Sequence, residues 1–231
     1  MGGDSRLFQL TLLQTWQLRR DSVVVHLAAR QQRLITALAI YGARRRSYLA
    51  GLLWPEHSEP NALESLRVSV HLVSKQAPGL LAVDGPVLAL SESVEVDLHG
   101  VRNRIRQLRE VGPDGNVASC LHLLRHADLL PDWYDDWVVY EQGRLHQDRL
   151  HAFHTIAKAL MARRAYEDAV EALEAALDLE PLYESAVGML IQTQIQQGNT
   201  AAAFHAFEKY RLKLKAEMDL DPSDAVRSLL G

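Results

Sequence analysis

Residues 162–181, ARRAYEDAVEALEAALDLEP, and residues 196–215, QQGNTAAAFHAFEKYRLKLK, are two versions of one pattern. Ala169 matches Ala203 and Leu173 matches Phe207, 34 residues apart in each case. Both segments carry apolar residues at helical spacing. Alanine at the matched positions lets two helices approach closely. One helix pair of this length cannot bury its apolar face alone, so the pattern demands stacked pairs. Asp221-Pro222 follows Glu180-Pro181 by 41 residues rather than 34, which predicts a last helix about two turns longer.

A period of 34 is that of tetratricopeptide helix pairs. Upstream of the repeat the chain is also helical. VRNRIRQLREVG and VASCLHLLRHADLL have helical periodicity, and a long helix is expected from Trp137 to Arg163, after the break LPDWYDDW. Residues 99–231 therefore read as an all-α, tetratricopeptide-like domain, a scaffold for protein contacts.

Residues 1–98 read differently. FQLTLLQTWQL and SVVVHL are strand-like, with a turn at Arg20-Asp21. ARQQRLITALAIYGA predicts a first helix stopped by Gly42. Ser47 is expected to cap a second, SYLAGLLW, which ends before Pro55. After a polar link, EHSEPN, comes ESLRVSVHLVSKQ, closed by Pro78-Gly79. LLAVDGPVLAL then reads as a hairpin around Asp84-Gly85. Strands, three helices and a hairpin, with helices two and three joined by a short link, make the layout of a winged helix-turn-helix. The fold class expected is mainly α with a small β part: an N-terminal winged helix-turn-helix (1–98) followed by the all-α domain (99–231).

Composition narrows the function classes. With 48% hydrophobic and 23% charged residues, the chain has the profile of a soluble globular protein. No apolar run approaches the roughly 20 residues that span a bilayer, so no membrane partner is expected. MGGDSRLFQ has no basic segment leading into an apolar one, and the single cysteine, Cys120, forms no intrachain disulfide; both fit a cytoplasmic protein. The net charge of −4 hides an asymmetry: residues 1–98 hold 10 Lys+Arg against 9 Asp+Glu, and residues 99–231 hold 15 against 20. A nucleic-acid site here must be a local patch.

Four stretches carry a family likeness: LLWPEHSEPNALESLR, LLAVDGPVLALSESVEVDL, LLPDWYDDWVVYEQGRL and YRLKLKAEMDLDPSDAVRSLL, in that order. In them the chain resembles the bacterial regulators that join an OmpR-type winged helix to a bacterial transcriptional activator domain, often called the Streptomyces antibiotic regulatory protein family. The resemblance implies a transcriptional activator. Its N-terminal domain would bind promoter double-stranded DNA. Its helical domain would contact RNA polymerase or a second copy, as a homodimer or in tandem on repeated half-sites. Larger members append an ATPase; no G-x-x-x-x-G-K-[ST] phosphate loop occurs here, so neither nucleotide hydrolysis nor a cofactor is implied.

The candidate DNA-reading residues lie on ESLRVSVHLVSKQ. At 100° per residue, Leu63, Leu66, Val70, Val73 and Ala77 share an inner face, and Glu64, Val68, His71, Leu72 and Lys75 an outer one. Arg67, His71 and Lys75 form an i, i+4, i+8 ridge, and Arg67 suits a bidentate bond to guanine. Ser69, with Ser65, can bond phosphate or base. Family members commonly read SLRxALSRLRRAL here. This chain keeps Ser65-Leu66-Arg67 but has Leu72 and Ser74 where arginines are usual. Arg44, Arg45 and Arg46, with Arg30 and Arg33 at the first helix, are candidates for phosphate contacts. As a solvated loop, the arginine run would do nothing more. The rival reading is a protein–protein interaction module whose winged helix no longer binds DNA, with Val68 and Leu72 in the interface.

Other constellations carry less. The pairs His122/His126 and His151/His154 share helix faces but have no carboxylate or cysteine at matching spacing, so no metal is expected. Asp132, Asp135 and Asp136 lie where a helix starts, where carboxylates suit its dipole, and the neighbouring tryptophans are expected to lock that loop onto helices. No constellation supports an enzyme.

Overall fold

The computed structural model describes residues 8–113 and 117–231. Residues 1–7 of the stretch MGGDSRLFQ lie outside them. The fold is mainly α with a small β part near the N-terminus, followed by an all-α region. The chain divides into two compact units, Met1–Gly100 with Leu129–Glu141, and Val101–Asp128 with Gln142–Gly231.

The first unit opens with β1 (Phe8–Thr11), β2 (Gln17–Arg20) and β3 (Val23–Val24). FQLTLLQTWQL, expected as one strand, is a hairpin: β1 and β2 are antiparallel, with Leu10 opposite Leu18. The reason is a distant carboxylate. The amides of Leu12 and Leu13 leave the ladder and donate to Asp97, at 2.9 Å and 3.1 Å to Leu12 and 3.1 Å to Leu13. Phe8, Leu10, Leu12 and Leu18 are buried, which fixes the face of this sheet that meets the core.

Helix α1 (Ala29–Tyr41) ends as expected at Gly42, whose φ of 73° closes the helix in a conformation open to glycine. The arginine run is not a loop. Arg44 and Arg45 form a strand, β4, and Arg46 begins helix α2 (Arg46–Leu53), so Ser47 lies inside that helix rather than capping it. Helix α3 (Glu59–Gln76) starts five residues earlier than the sequence reading, inside the EHSEPN link. Pro60 sits in its first turn, where a missing N–H costs nothing.

The hairpin follows as β5 (Leu81–Asp84) and β6 (Val87–Leu90), with Gly85 at φ 52°. β4 pairs with β6, Arg44 opposite Leu88, which makes a three-stranded sheet in the order β4-β6-β5. A last strand, β7 (Val94–Val96), was not expected; it pairs in parallel with β1 and completes the sheet β3-β2-β1-β7. Helix α4 (Asp97–Glu110) begins at the same Asp97, whose Oδ1 accepts from the Leu98 amide at 2.7 Å. One carboxylate thus caps a helix and turns a hairpin.

The second unit is helical: α5 (Val117–Arg125), most of α6 (Asp136–Ala162), α7 (Tyr166–Leu179), α8 (Glu184–Gln196), α9 (Thr200–Met218) and a short α10 (Asp224–Arg227). The repeat holds. α7 and α9 start 34 residues apart, and Ala169, Ala203 and Leu173 are fully buried. α9 has 19 residues against 14 in α7, a surplus of about one and a half turns rather than two. Tyr210 donates to Glu184 at 2.7 Å across α8 and α9. Ser223, whose hydroxyl caps α10, also bonds that carboxylate, which holds Glu184 below the ordinary carboxylate range. Arg149 on α6 is 4% exposed and closes the end of α5 by donating to the Leu124 and Arg125 carbonyls. It also donates to the Asp128 carboxylate at 2.6 Å.

Candidate nucleic-acid interface

Helix α3 owes its position to its inner face. Leu66, Val70 and Val73 are buried, as are Ala62 and Ala77, and α3 packs on both α1 and α2. The opposite face is exposed: Arg67, Val68, His71 and Lys75 all face solvent. At a rise of about 1.5 Å per residue, Arg67 and Lys75 lie roughly 12 Å apart along one ridge, close to the width of a major groove. Lys75 is in the last turn, where the helix dipole favours a cation.

Two expectations on this helix need correction. Ser69 is 2% exposed, and its hydroxyl donates to the Ser65 carbonyl at 3.0 Å, so it faces the core rather than a groove. Position 69 falls between Leu66 and Val73 on the helix, and a small side chain that bonds its own backbone fits there. Leu72 is half-buried rather than fully outward; Val68, 48% exposed, is the apolar residue the helix presents.

Arg67 is not a bare cation. Its Nε donates to Glu64 Oε2 at 2.9 Å and its Nη2 to Glu64 Oε1 at 2.7 Å. That hydrogen-bonded pair holds Glu64 below, and Arg67 above, their ordinary pKa values. The sequence contains the signal, a carboxylate three residues before an arginine on one helix.

The other candidate cations separate. Arg30 is exposed at the start of α1. Arg33 is committed elsewhere, in an ion pair with Asp135 at 2.6 Å, a contact between residues too distant in sequence for any spacing rule. The three arginines of β4 and α2 are held by the sheet. Arg46 donates its amide to the Pro86 carbonyl at 2.9 Å, and the Arg44 guanidinium lies 5.7 Å from the centre of the Tyr48 ring. Arg45 is exposed; Arg44 and Arg46 are half-buried. The hairpin β5–β6 brings no Lys or Arg, and its tip carries the exposed Asp84. The exposed candidate cations are thus Arg67 and Lys75 on α3, Arg30 on α1 and Arg45 on β4.

Asp136 lies in the first turn of α6, and Trp137 is buried with its ring 6.2 Å from that of Tyr41. The rings of His122 and His126 stack edge to face at 4.8 Å. Among the described residues no group of three or more His, Cys, Asp or Glu could hold a metal ion. Among them, too, no helix is long and apolar enough to cross a membrane.

Residues 96–230 match the bacterial transcriptional activator domain family. The chain belongs to that family. No curated protein sequence matches the chain. A solved structure of Mycobacterium tuberculosis EmbR, in complex with a low affinity phosphopeptide, shares its fold with a TM-score of 0.67 at 20% identity. The match covers 97% of this chain and 64% of that one, so this activator-domain chain spans under two thirds of the EmbR chain.

Proposed function

We propose that this activator-family protein binds promoter DNA through a winged helix-turn-helix in residues 1–98, with α3 in the major groove. Residues 99–231 would then hold RNA polymerase or a second copy. The observation that carries the reading is the outward ridge of Arg67, His71 and Lys75 on a helix whose other face is core. Arg30 and the β4 arginines would lie against the backbone, and the cation-free hairpin would contribute shape rather than charge. Site and activity of this kind belong in the cytoplasm.

Gel shifts across genomic fragments test it. A specific fragment should shift, with an affinity that falls steeply with salt, because each neutralised phosphate releases counterions. Arg67→Ala and Lys75→Ala should weaken that shift. No shift at micromolar protein, with a flat salt response, would overturn the proposal. The exposed Val68 favours one rival, a winged helix that docks on protein. There Val68→Asp would abolish a complex seen by light scattering while DNA affinity stays negligible in both forms.

A further inference from the structure

The bidentate pair on α3 has a second edge. Glu64 occupies the Nε–Nη2 side of the Arg67 guanidinium. The Nη1 end makes no hydrogen bond among the described residues, and both side chains stand in solvent, 75% and 56% exposed. An arginine has five donors in a rigid fork, so one carboxylate leaves the Nη1–Nη2 end free for two more parallel bonds. That free end matches the O6 and N7 acceptors of guanine.

We infer that Glu64 is a positioning residue for base reading: it fixes the plane of the Arg67 guanidinium so that its free end meets a guanine, and its charge discourages Arg67 from settling on phosphate. This inference rests on the DNA-binding reading above. The physical logic is a trade. An exposed arginine samples many rotamers and binds any phosphate, which adds affinity for every sequence alike. Two bonds to a neighbour one turn away narrow that freedom before DNA arrives, and the carboxylate repels the phosphate chain. What is left is a contact that only a correctly placed base can complete. With a hairpin that brings no cation and an α3 that has Leu72 and Ser74 at the arginine positions, this face offers little other charge to read bases with.

The test uses the full chain and three kinds of duplex, of which the first two are the fragment selected by gel shift and a random duplex of equal length. A third carries 7-deazaguanine, which lacks the N7 acceptor, at each guanine of the selected site in turn. In the wild type one such position should cost about tenfold in affinity, because the bidentate contact is reduced to its O6 bond. In Glu64→Gln the same substitution should cost under about threefold, and random-duplex binding should tighten with a salt slope steeper by about one phosphate contact. Circular dichroism checks that the variant is folded, and both side chains are surface groups with no core role. If Glu64→Gln keeps the full deazaguanine penalty, or weakens selected and random duplexes equally, this inference fails while DNA binding stands. If the wild type binds no duplex in a salt-dependent way, the DNA-binding reading fails and takes this inference with it.

Discussion

Replacing Arg149 tests how the helical unit is held together. The side chain is 5% exposed and makes three charge-assisted bonds at the end of α5: Leu124 carbonyl at 2.7 Å, Arg125 carbonyl at 2.8 Å and Asp128 at 2.6 Å. Helix C-termini carry carbonyls with no partner inside the helix, and here a single guanidinium from another helix serves two of them. Arg149→Ala takes this donor from both carbonyls and this guanidinium from Asp128. Bonds to a charged group contribute about 1.5–3 kcal/mol each. The sum overstates the cost, because the Asp128 carboxylate is 47% exposed and regains water. The two carbonyls that lose a charged donor set the scale, and we expect a loss of about 2–4 kcal/mol. Arg149→Lys keeps the charge but not the fork. One ammonium on a flexible stem cannot reach three acceptors set around a plane, so it should recover part of the loss and remain about 1–3 kcal/mol below wild type. Urea unfolding followed by far-ultraviolet circular dichroism gives the free energies. Amide exchange in α5 localises the effect, since two units need not unfold as one. An Arg149→Ala variant within about 1 kcal/mol of wild type would refute the capping argument; it would show that water serves the α5 carbonyls as well.

Three further outcomes follow from the same reasoning. Asp97→Ala should destabilise the first unit by about 2–4 kcal/mol, since it removes a helix cap and the acceptor for two hairpin amides, and Asp97→Asn, with one acceptor kept, by less; exchange rates at Leu12, Leu13 and Leu98 report it. Leu66→Ala on the inner face of α3 should cost about 2–5 kcal/mol in the same unit, read as a lower urea midpoint, whereas Val68→Ala on the outer face should cost under about 0.5 kcal/mol. His154 has a buried Nδ1 without a hydrogen-bond partner, and burial first, then His151 and Lys158, hold its pKa below the ordinary 6.5. The unfolded chain therefore takes up this proton at a higher pH than the fold does, so stability of the second unit should drop as pH falls through 6.5 and level off below the folded value. His154→Gln should flatten that part of a thermal-midpoint profile against pH; an unchanged profile would rule His154 out as the cause.

Much of this protein was legible because its elements are local. The stop at Gly42, the hairpin around Gly85, and the 34-residue repeat with its buried alanines depend on residues close in sequence, where φ preference and periodicity act. The inner face of α3 was readable for the same reason: 100° per residue assigns Leu66, Val70 and Val73 to one side whatever they pack against. The ridge of Arg67, His71 and Lys75 came with it.

What the sequence could not settle are features with partners far along the chain. Asp97 turns the β1–β2 hairpin from 85 residues away, so FQLTLLQTWQL looks like one strand until that carboxylate is in place. β7 and β4 are three and two residues long, too short to show a period, and exist because β1 and β6 offer them ladder partners. Tertiary structure also sorted the cations. Asp135 takes Arg33 and the sheet fixes the backbone of Arg44 and Arg46, while the uncharged Ser69 goes to the core. Sequence alone determined which helices form and which side of each is apolar, because those follow from local geometry. Only the fold decided which charges stay outward, because a charge is spent or kept according to the neighbour that long-range packing brings to it.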